Sequence, residues 1–193
     1  LKQIKMQYGS LSEFASGYQY YGFNYDQKAG GWWYREWAPM ADELSLIGDF
    51  NNWDRNANPL KRIEGGIWEL FLPTASYRDF GHATSLKVNV KSKAGSQDRL
   101  PAYIKYVEQD KNTHDFTGEI WNTKPFKWTD KKFKASAAHA QPYIYECHIG
   151  MAQESHGVGT YREFADNVLP RIHEQGYNTI QMMAIQEHPY YGS

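Results

Sequence analysis

Cysteine is nearly missing from this chain. Cys147 stands alone among 193 residues, so no disulfide can form within the chain, and its apolar setting fits a reducing compartment, read as the cytoplasm. Net charge is missing as well: 21 basic residues meet 22 acidic ones. With no long-range pull toward a polyanion, a dedicated nucleic-acid binder is disfavoured and a neutral partner is favoured. No apolar run approaches the length of a membrane span and no basic–apolar–small leader is visible, so no membrane partner is expected. The chain starts without Met and stops at Ser193, straight after Pro189-Tyr190-Tyr191-Gly192, and reads as a piece of something longer.

Aromatic residues are what the chain has in excess: 16% of it, with 15 Tyr and 7 Trp. They concentrate between Gly31 and Trp53, in the run Trp32-Trp33-Tyr34-Arg35-Glu36-Trp37, the stop at Pro39, and the turn-rich Gly48-Asp49-Phe50-Asn51-Asn52-Trp53. Trp and Tyr have broad apolar faces and a polar handle, which suits a sugar ring with its C–H faces and hydroxyl rim. The same rings also serve as the core of a small β-sandwich, and both readings are carried forward.

The periodicity is β from Tyr18 to Trp121. Leu86-Lys87-Val88-Asn89-Val90-Lys91 is apolar at every even position, which predicts a half-buried strand with Lys87, Asn89 and Lys91 on one open face. Ile67 to Leu72 alternates in the same way until Pro73, with Trp68 read as core, and Gly30-Gly31 predicts a hairpin turn before Trp32. Leu100 to Val107 is a further expected strand, with Pro101 implying an edge position. Seven or so short strands in about 100 residues is the pattern of an immunoglobulin-like sandwich. Before it, Ser10 and Glu13 have capping-box spacing and Gly17 is placed to take a left-handed turn, while Leu1 to Tyr8 is too short to assign.

Lys124, Lys127, Lys131, Lys132 and Lys134, followed by small residues from Ala135 to Gln141, read as a solvated linker. After Pro142 the period changes. Tyr143 to Ile149 is a short buried-strand run, and Thr160 and Glu163 have capping-box spacing. Tyr161, Phe164, Ala165, Val168, Leu169 and Ile172 form a helical stripe interrupted at Pro170, which predicts a kink or restart near Asn167. Gly176 ends the helix and Asn178 to Ile185 is a second buried strand, completing one βαβ unit.

Taken in order, these stretches resemble the glycogen and starch branching enzymes of the α-amylase clan, most of all the eukaryote-type members. The carriers are Glu13-Phe14-Ala15, Gly17-Tyr18, Tyr21-Gly22-Phe23, Arg35-Glu36-Trp37-Ala38-Pro39, Gly48 to Trp53 and Trp68-Glu69-Leu70. In the second half they are Tyr145-Glu146-Cys147-His148-Ile149-Gly150, Thr160-Tyr161, Asn167 to Ile172, Gly176-Tyr177-Asn178 and Met182 to His188. The resemblance implies a helical segment at 1–17, a family-48 carbohydrate-binding module at 18–122, a linker at 123–142, and the start of a (β/α)8 barrel at 143–193. A full barrel needs about 250 residues. The expected fold is therefore mainly β, a sandwich followed by the first βαβ of an incomplete barrel.

The function implied is the amino-terminal part of a 1,4-alpha-glucan branching enzyme. Such an enzyme cleaves an α-1,4 bond through a covalent glucosyl intermediate and passes the chain to a 6-hydroxyl of glycogen. Retaining transfer needs two carboxyls about 5–5.5 Å apart. The family draws them from later barrel strands, so no catalytic residue is assigned here, and the piece is expected to bind α-glucan and to be inactive alone. No cofactor and no metal is expected: Glu146 and His148, with Glu187 and His188, have a spacing metals use, but polar residues on barrel strands are usually satisfied by hydrogen bonds. The partners expected are α-glucan and the remainder of the barrel.

Four residues carry the binding expectation: Trp37 and Pro39, which match a Trp and Pro that eukaryote-type branching enzymes place against glucan; Trp53, in the loop; and Lys87, which matches a sugar-contacting Lys of related modules. For each, a purely local role stays open, and Trp33 is expected to face inward. Glycogen-binding regulatory modules carry a second Trp in the hairpin after the Lys87 strand. This chain has Ala94-Gly95-Ser96-Gln97-Asp98 there, so the two-Trp clamp is not expected, and any site is either weaker or built elsewhere. The alternatives are a non-catalytic glycogen-binding module and a debranching enzyme of the same clan.

Overall fold

Alternation decides which strands form and which side each one buries. The computed structural model describes residues 1–134, 141–183 and 185, and the chain divides into two units, Leu1–Pro125 and Phe126–Ser193. Glu187, His188 and part of the expected linker lie outside the described residues.

The first unit begins with two short helices, α1 (Lys2–Tyr8) and α2 (Leu11–Phe14). Ser10 caps α2, its Oγ accepting the Glu13 N–H at 3.0 Å. Gly17 does not take the left-handed conformation expected of it. It opens a 3-10 turn, Gly17–Gln19, that follows the single turn of α2 without a reversal. The strands then run β1 (Gly22–Asp26), β2 (Gly31–Trp37), β3 (Glu43–Gly48), β4 (Lys61–Arg62), β5 (Ile67–Pro73), β6 (Ser85–Ser92), β7 (Gly95–Arg99), β8 (Tyr106–Gln109) and β9 (Phe116–Glu119). They form two antiparallel sheets, ordered β1-β2-β5-β4 and β3-β6-β9-β8. β3 covers one edge of β6, while the other edge is shared between β9 at Ser85–Leu86 and β7 at Val88–Ser92.

The inner faces supply one core: Trp32 and Tyr34 from β2, Leu44 and Leu46 from β3, Trp68 and Leu72 from β5, Leu86 and Val88 from β6, closed by Phe80 and Ile120. Because Trp32 and Tyr34 point inward, period two sends Trp33 outward, against the expectation. There the Arg35 guanidinium lies 4.5 Å from its ring and Phe71 4.8 Å away. Asn89 departs from its expected open face too. It is buried, its amide donating to Ser96 Oγ (2.9 Å) and Asp98 Oδ1 (2.7 Å), because β7 lies alongside.

The strand expected at Leu100–Val107 is displaced. Gly95–Arg99 forms β7 instead, and Pro101, which has no N–H to give a ladder, is fully buried in the loop beyond. The buried Glu36 carboxylate holds that loop, accepting from the Ala102 N–H (2.9 Å) and from the Tyr34 hydroxyl (3.0 Å). Burial, with the Glu36 charge adding to it, pushes the Tyr34 phenol well above its ordinary pKa.

In the second unit β10 (Ile144–His148) pairs in parallel with β11 (Thr179–Met183). The helix between them is α3 (Tyr161–Glu163), a widened π turn over Phe164–Val168, and α4 (Leu169–Glu174). Thr160 and Glu163 form the reciprocal capping box read from the sequence. At the restart the Leu169 N–H reaches Phe164 O, one residue beyond α-helical spacing, and Pro170, which has no N–H, sits in the first turn of α4. Cys147, Ile149, Phe164 and Ile172 form this unit's core, and burial raises the Cys147 thiol pKa.

Candidate functional site

The loop after β3 is built residue by residue to hold one indole. Gly48 lets the chain pass close to β6; a Cβ there would sit 2.3 Å from the Ser85 carbonyl oxygen. Phe50 turns back onto the core, its ring 4.9 Å from Phe80. The Asn51 side chain takes the place of backbone partners. Its Oδ1 accepts the Gly48 N–H at 3.0 Å, and its Nδ2 donates to Leu46 O (3.0 Å) and Asn58 Oδ1 (2.8 Å). Asn52 and Trp53 both adopt positive φ, 53° and 60°. A bulky residue there is rare, and strain of about 1–3 kcal/mol is kept where the surroundings over-determine it. The surroundings here are the Gly48 carbonyl, which accepts the Trp53 N–H (2.9 Å), and Asp49, whose Oδ1 accepts the indole N–H (3.0 Å). With Asp49, Ser85, Thr117 and the segment 108–112, Trp53 lines a cavity of about 450 Å³.

Lys87 serves the same end of the second sheet. Its side chain is 13% exposed, and its ammonium is paired to Asp115 at 2.5 Å. Asp115 lies in the β8–β9 turn, residues 110–115, whose first part walls the Trp53 cavity. The Lys87 hydrogen bond holds the Asp115 carboxyl below the ordinary range, and the Thr113 N–H does the same for Asp110. Across the neighbouring strands, burial and then a hydrogen bond shared with Glu108 raise the Glu119 pKa.

Trp37 and Pro39 lie apart from these, at the end of β2 in the other sheet. The Trp37 indole is 59% exposed, and its N–H donates to Gly65 O at 3.0 Å. Pro39 leans on Gly66, where φ is +77° and a Cβ would meet Pro39 Cβ at 2.6 Å. Arg62 Nη2 donates to the Pro39 carbonyl (2.8 Å), and the buried Trp68 indole donates to Ala38 O (3.0 Å). The structure thus places Trp53 and Lys87 with the second sheet, and Trp37 and Pro39 with the first.

Sequence reasoning missed Asp49, Asp115 and Asn51, which position the predicted residues. The signal for Asp49 was present, a hydrogen-bonding side chain four residues before a loop Trp; Asp115, 28 residues from Lys87, left none. Among the described residues no group of three or more His, Cys, Asp or Glu is placed to hold a metal. In β10, Glu146 is exposed, and His148 is half-buried with an Nδ1 that lacks a partner among those residues. What the first unit offers chemically is aromatic faces with their N–H groups already committed, flanked by carboxylates and amides, an arrangement suited to stacking on a neutral ring.

Residues 20–104 match carbohydrate-binding module 48, the isoamylase N-terminal domain. The chain is 41% identical over 196 residues to a 1,4-alpha-glucan-branching enzyme of Dictyostelium discoideum, covering 100% of this chain and 28% of that protein. A counterpart from Yarrowia lipolytica is 42% identical over 192 residues, 96% of this chain and 27% of its own. The chloroplastic/amyloplastic 1,4-alpha-glucan-branching enzyme 2-2 of Arabidopsis thaliana is 41% identical over 200 residues, 100% of this chain and 24% of its own.

Among solved structures, the Group B Streptococcus pullulanase SAP with maltotetraose superposes with a TM-score of 0.62 at 17% identity, over 88% of this chain and 24% of that one. The Anoxybacillus sp. LM18-11 pullulanase with maltotriose gives 0.62 at 19%, over 86% and 25%. These likenesses fix the fold. Residues 20–104 thus match carbohydrate-binding module 48, and over its length the chain is similar to the 1,4-alpha-glucan-branching enzymes, of which it spans about a quarter.

Proposed function

We propose that this chain is the glucan-holding leading part of a 1,4-alpha-glucan-branching enzyme. The observation that carries the reading is the continuity of the match. An alignment at 40–41% overall identity spans the whole chain, sandwich and βαβ alike, with branching enzymes as the relatives. A free-standing binding module would have no use for the second unit, and a debranching enzyme is supported at the level of fold alone.

In this reading Trp53 and Lys87, with Trp37 and Pro39 on the other sheet, hold a stretch of α-glucan. The transferring carboxylates belong to barrel strands that follow β11, so the chain itself neither cleaves nor transfers. The module raises the local concentration of chains around the barrel. The lone buried Cys147 fits a reducing, cytoplasmic setting and hence glycogen as the polymer.

Two measurements test this. In native gels containing glycogen the chain is retarded, and Trp53→Ala and Trp37→Ala each weaken the retardation. A protein extended to the relatives' length converts linear amylose to a product with new α-1,6 anomeric proton signals, whereas the chain alone does not. Absence of both retardation and branching overturns the proposal.

A further inference from the structure

The β6–β7 hairpin presents Ala94-Gly95-Ser96-Gln97-Asp98 and no second aromatic. A second ring stands elsewhere on the same sheet. Beyond β9 the pairing continues: the Ile120 N–H donates to Thr84 O (3.1 Å) and the Ala83 N–H to Ile120 O (2.9 Å). Ile120 is buried, so its neighbours Glu119 and Trp121 continue the outward row begun at Thr117. At about 6.6–6.8 Å for every two residues, Trp121 follows Thr117, which lines the Trp53 cavity, by roughly 13 Å.

Trp121 is braced as a platform. Tyr106 stacks on it at 4.5 Å and 18°, and His82 meets it edge-on at 4.9 Å, its Nδ1 accepting the Asn122 N–H at 3.4 Å. Yet 43% of Trp121 and 41% of Tyr106 remain exposed. Trp121 also borders a separate cleft of about 190 Å³ that runs in to the core residues Trp32 and Ile120, with Tyr25, Lys105 and Asn122 also lining it. The floor between the two indoles is continuous. Glu119 lies between them on the outward row, and on the neighbouring strand Glu108, which lines the Trp53 cavity, pairs across from Thr117 while Tyr106 pairs across from Glu119.

We infer that Trp121, backed by Tyr106, is a second stacking platform for the α-glucan chain that Trp53 contacts, making the outer face of the second sheet an extended subsite for linear chains of several sugars. This rests on the glucan-binding reading above. Two rings on one strand direction favour long chains through effective concentration, since a sugar held at Trp53 keeps its continuation near Trp121.

The test is calorimetric titration of the full chain with maltotriose and maltoheptaose. Trp121→Ala weakens maltoheptaose about tenfold and maltotriose by less than about twofold, whereas Trp53→Ala weakens both. Trp121→Phe, which keeps a stacking face, restores most of the maltoheptaose affinity. If Trp121→Ala binds maltoheptaose as the unaltered chain does while Trp53→Ala does not, the second platform is overturned and the glucan reading stands. If the unaltered chain binds neither sugar, both fall. Should Trp121→Ala misfold, the indole N–H resonance of Trp121 in the unaltered chain decides. A shift with maltoheptaose supports the subsite, and no shift while that of Trp53 moves overturns it.

Discussion

Trp37 and Trp53 are both exposed indoles whose N–H groups are already bonded, yet the fold presents them by opposite means. Trp37 stands on a regular strand end, held by the carbonyl of a glycine turn, Gly65. Trp53 stands on a left-handed residue in a loop held by the Gly48 carbonyl and by a set of side-chain hydrogen bonds centred on Asn51. The first arrangement follows from strand register and tolerates change around it. The second depends on residues that touch no sugar, and is correspondingly easy to dismantle.

Asn51→Ala is the strongest way to break the comparison. It leaves the Gly48 N–H and the Asn58 amide oxygen short of partners, at a cost of about 3 kcal/mol. Urea unfolding should report that loss. Retardation by glycogen should fall to the level that Trp53→Ala gives, while the contribution removed by Trp37→Ala persists. A loss under about 1 kcal/mol would mean the loop is held by something other than Asn51.

Gly66→Ala strikes the other side. Its backbone is at φ +77° and the added methyl meets Pro39, so about 1–2 kcal/mol is lost and the Trp37 side of binding weakens. Gly65→Ala, at φ +72° with open space around it, is the control: it carries the backbone penalty of about 1 kcal/mol without displacing Pro39. Equal effects on binding from the two would show that Pro39 contact is irrelevant to the platform.

The smallest expected effect sharpens the electrostatics of the second sheet. Glu119 has a pKa raised by burial and by Glu108, so its charged form is disfavoured in the folded chain. The penalty is absent below its unfolded pKa, sets in as pH rises toward the folded value, and is full above it. Glu119→Gln should therefore raise Tm at neutral pH by about 1–2 °C and leave it unchanged near pH 3. A gain equal at both pH values would assign the effect to packing instead.

Much of this was legible in the sequence, for identifiable reasons. Period two in Leu86–Lys91 and Ile67–Leu72 reflects one buried face, and the structure has strands there. Trp33 was misplaced because three aromatic residues in a row carry no polar alternation, so the inward set was fixed by Trp32 and Tyr34 pairing across from Leu72 and Leu70. Asn89 looked solvated because its partners, Ser96 and Asp98, arrive from β7, which has little apolar pattern of its own. Trp37, Pro39, Trp53 and Lys87 could be named from motifs, but not their division between two sheets, nor the Lys87–Asp115 pair, because register between distant strands decides both.

The π turn at Phe164–Val168 has a consequence for the second unit. Phe164 and Ile172 are both buried against the strands, although eight residues apart. In an unbroken helix of 3.6 residues per turn they would point about 80° away from one another. One widened turn absorbs that excess and brings the two side chains back into phase. Pro170, which donates nothing to the turn before it, is thus the residue that sets the rotational timing of the helix rather than an interruption of it.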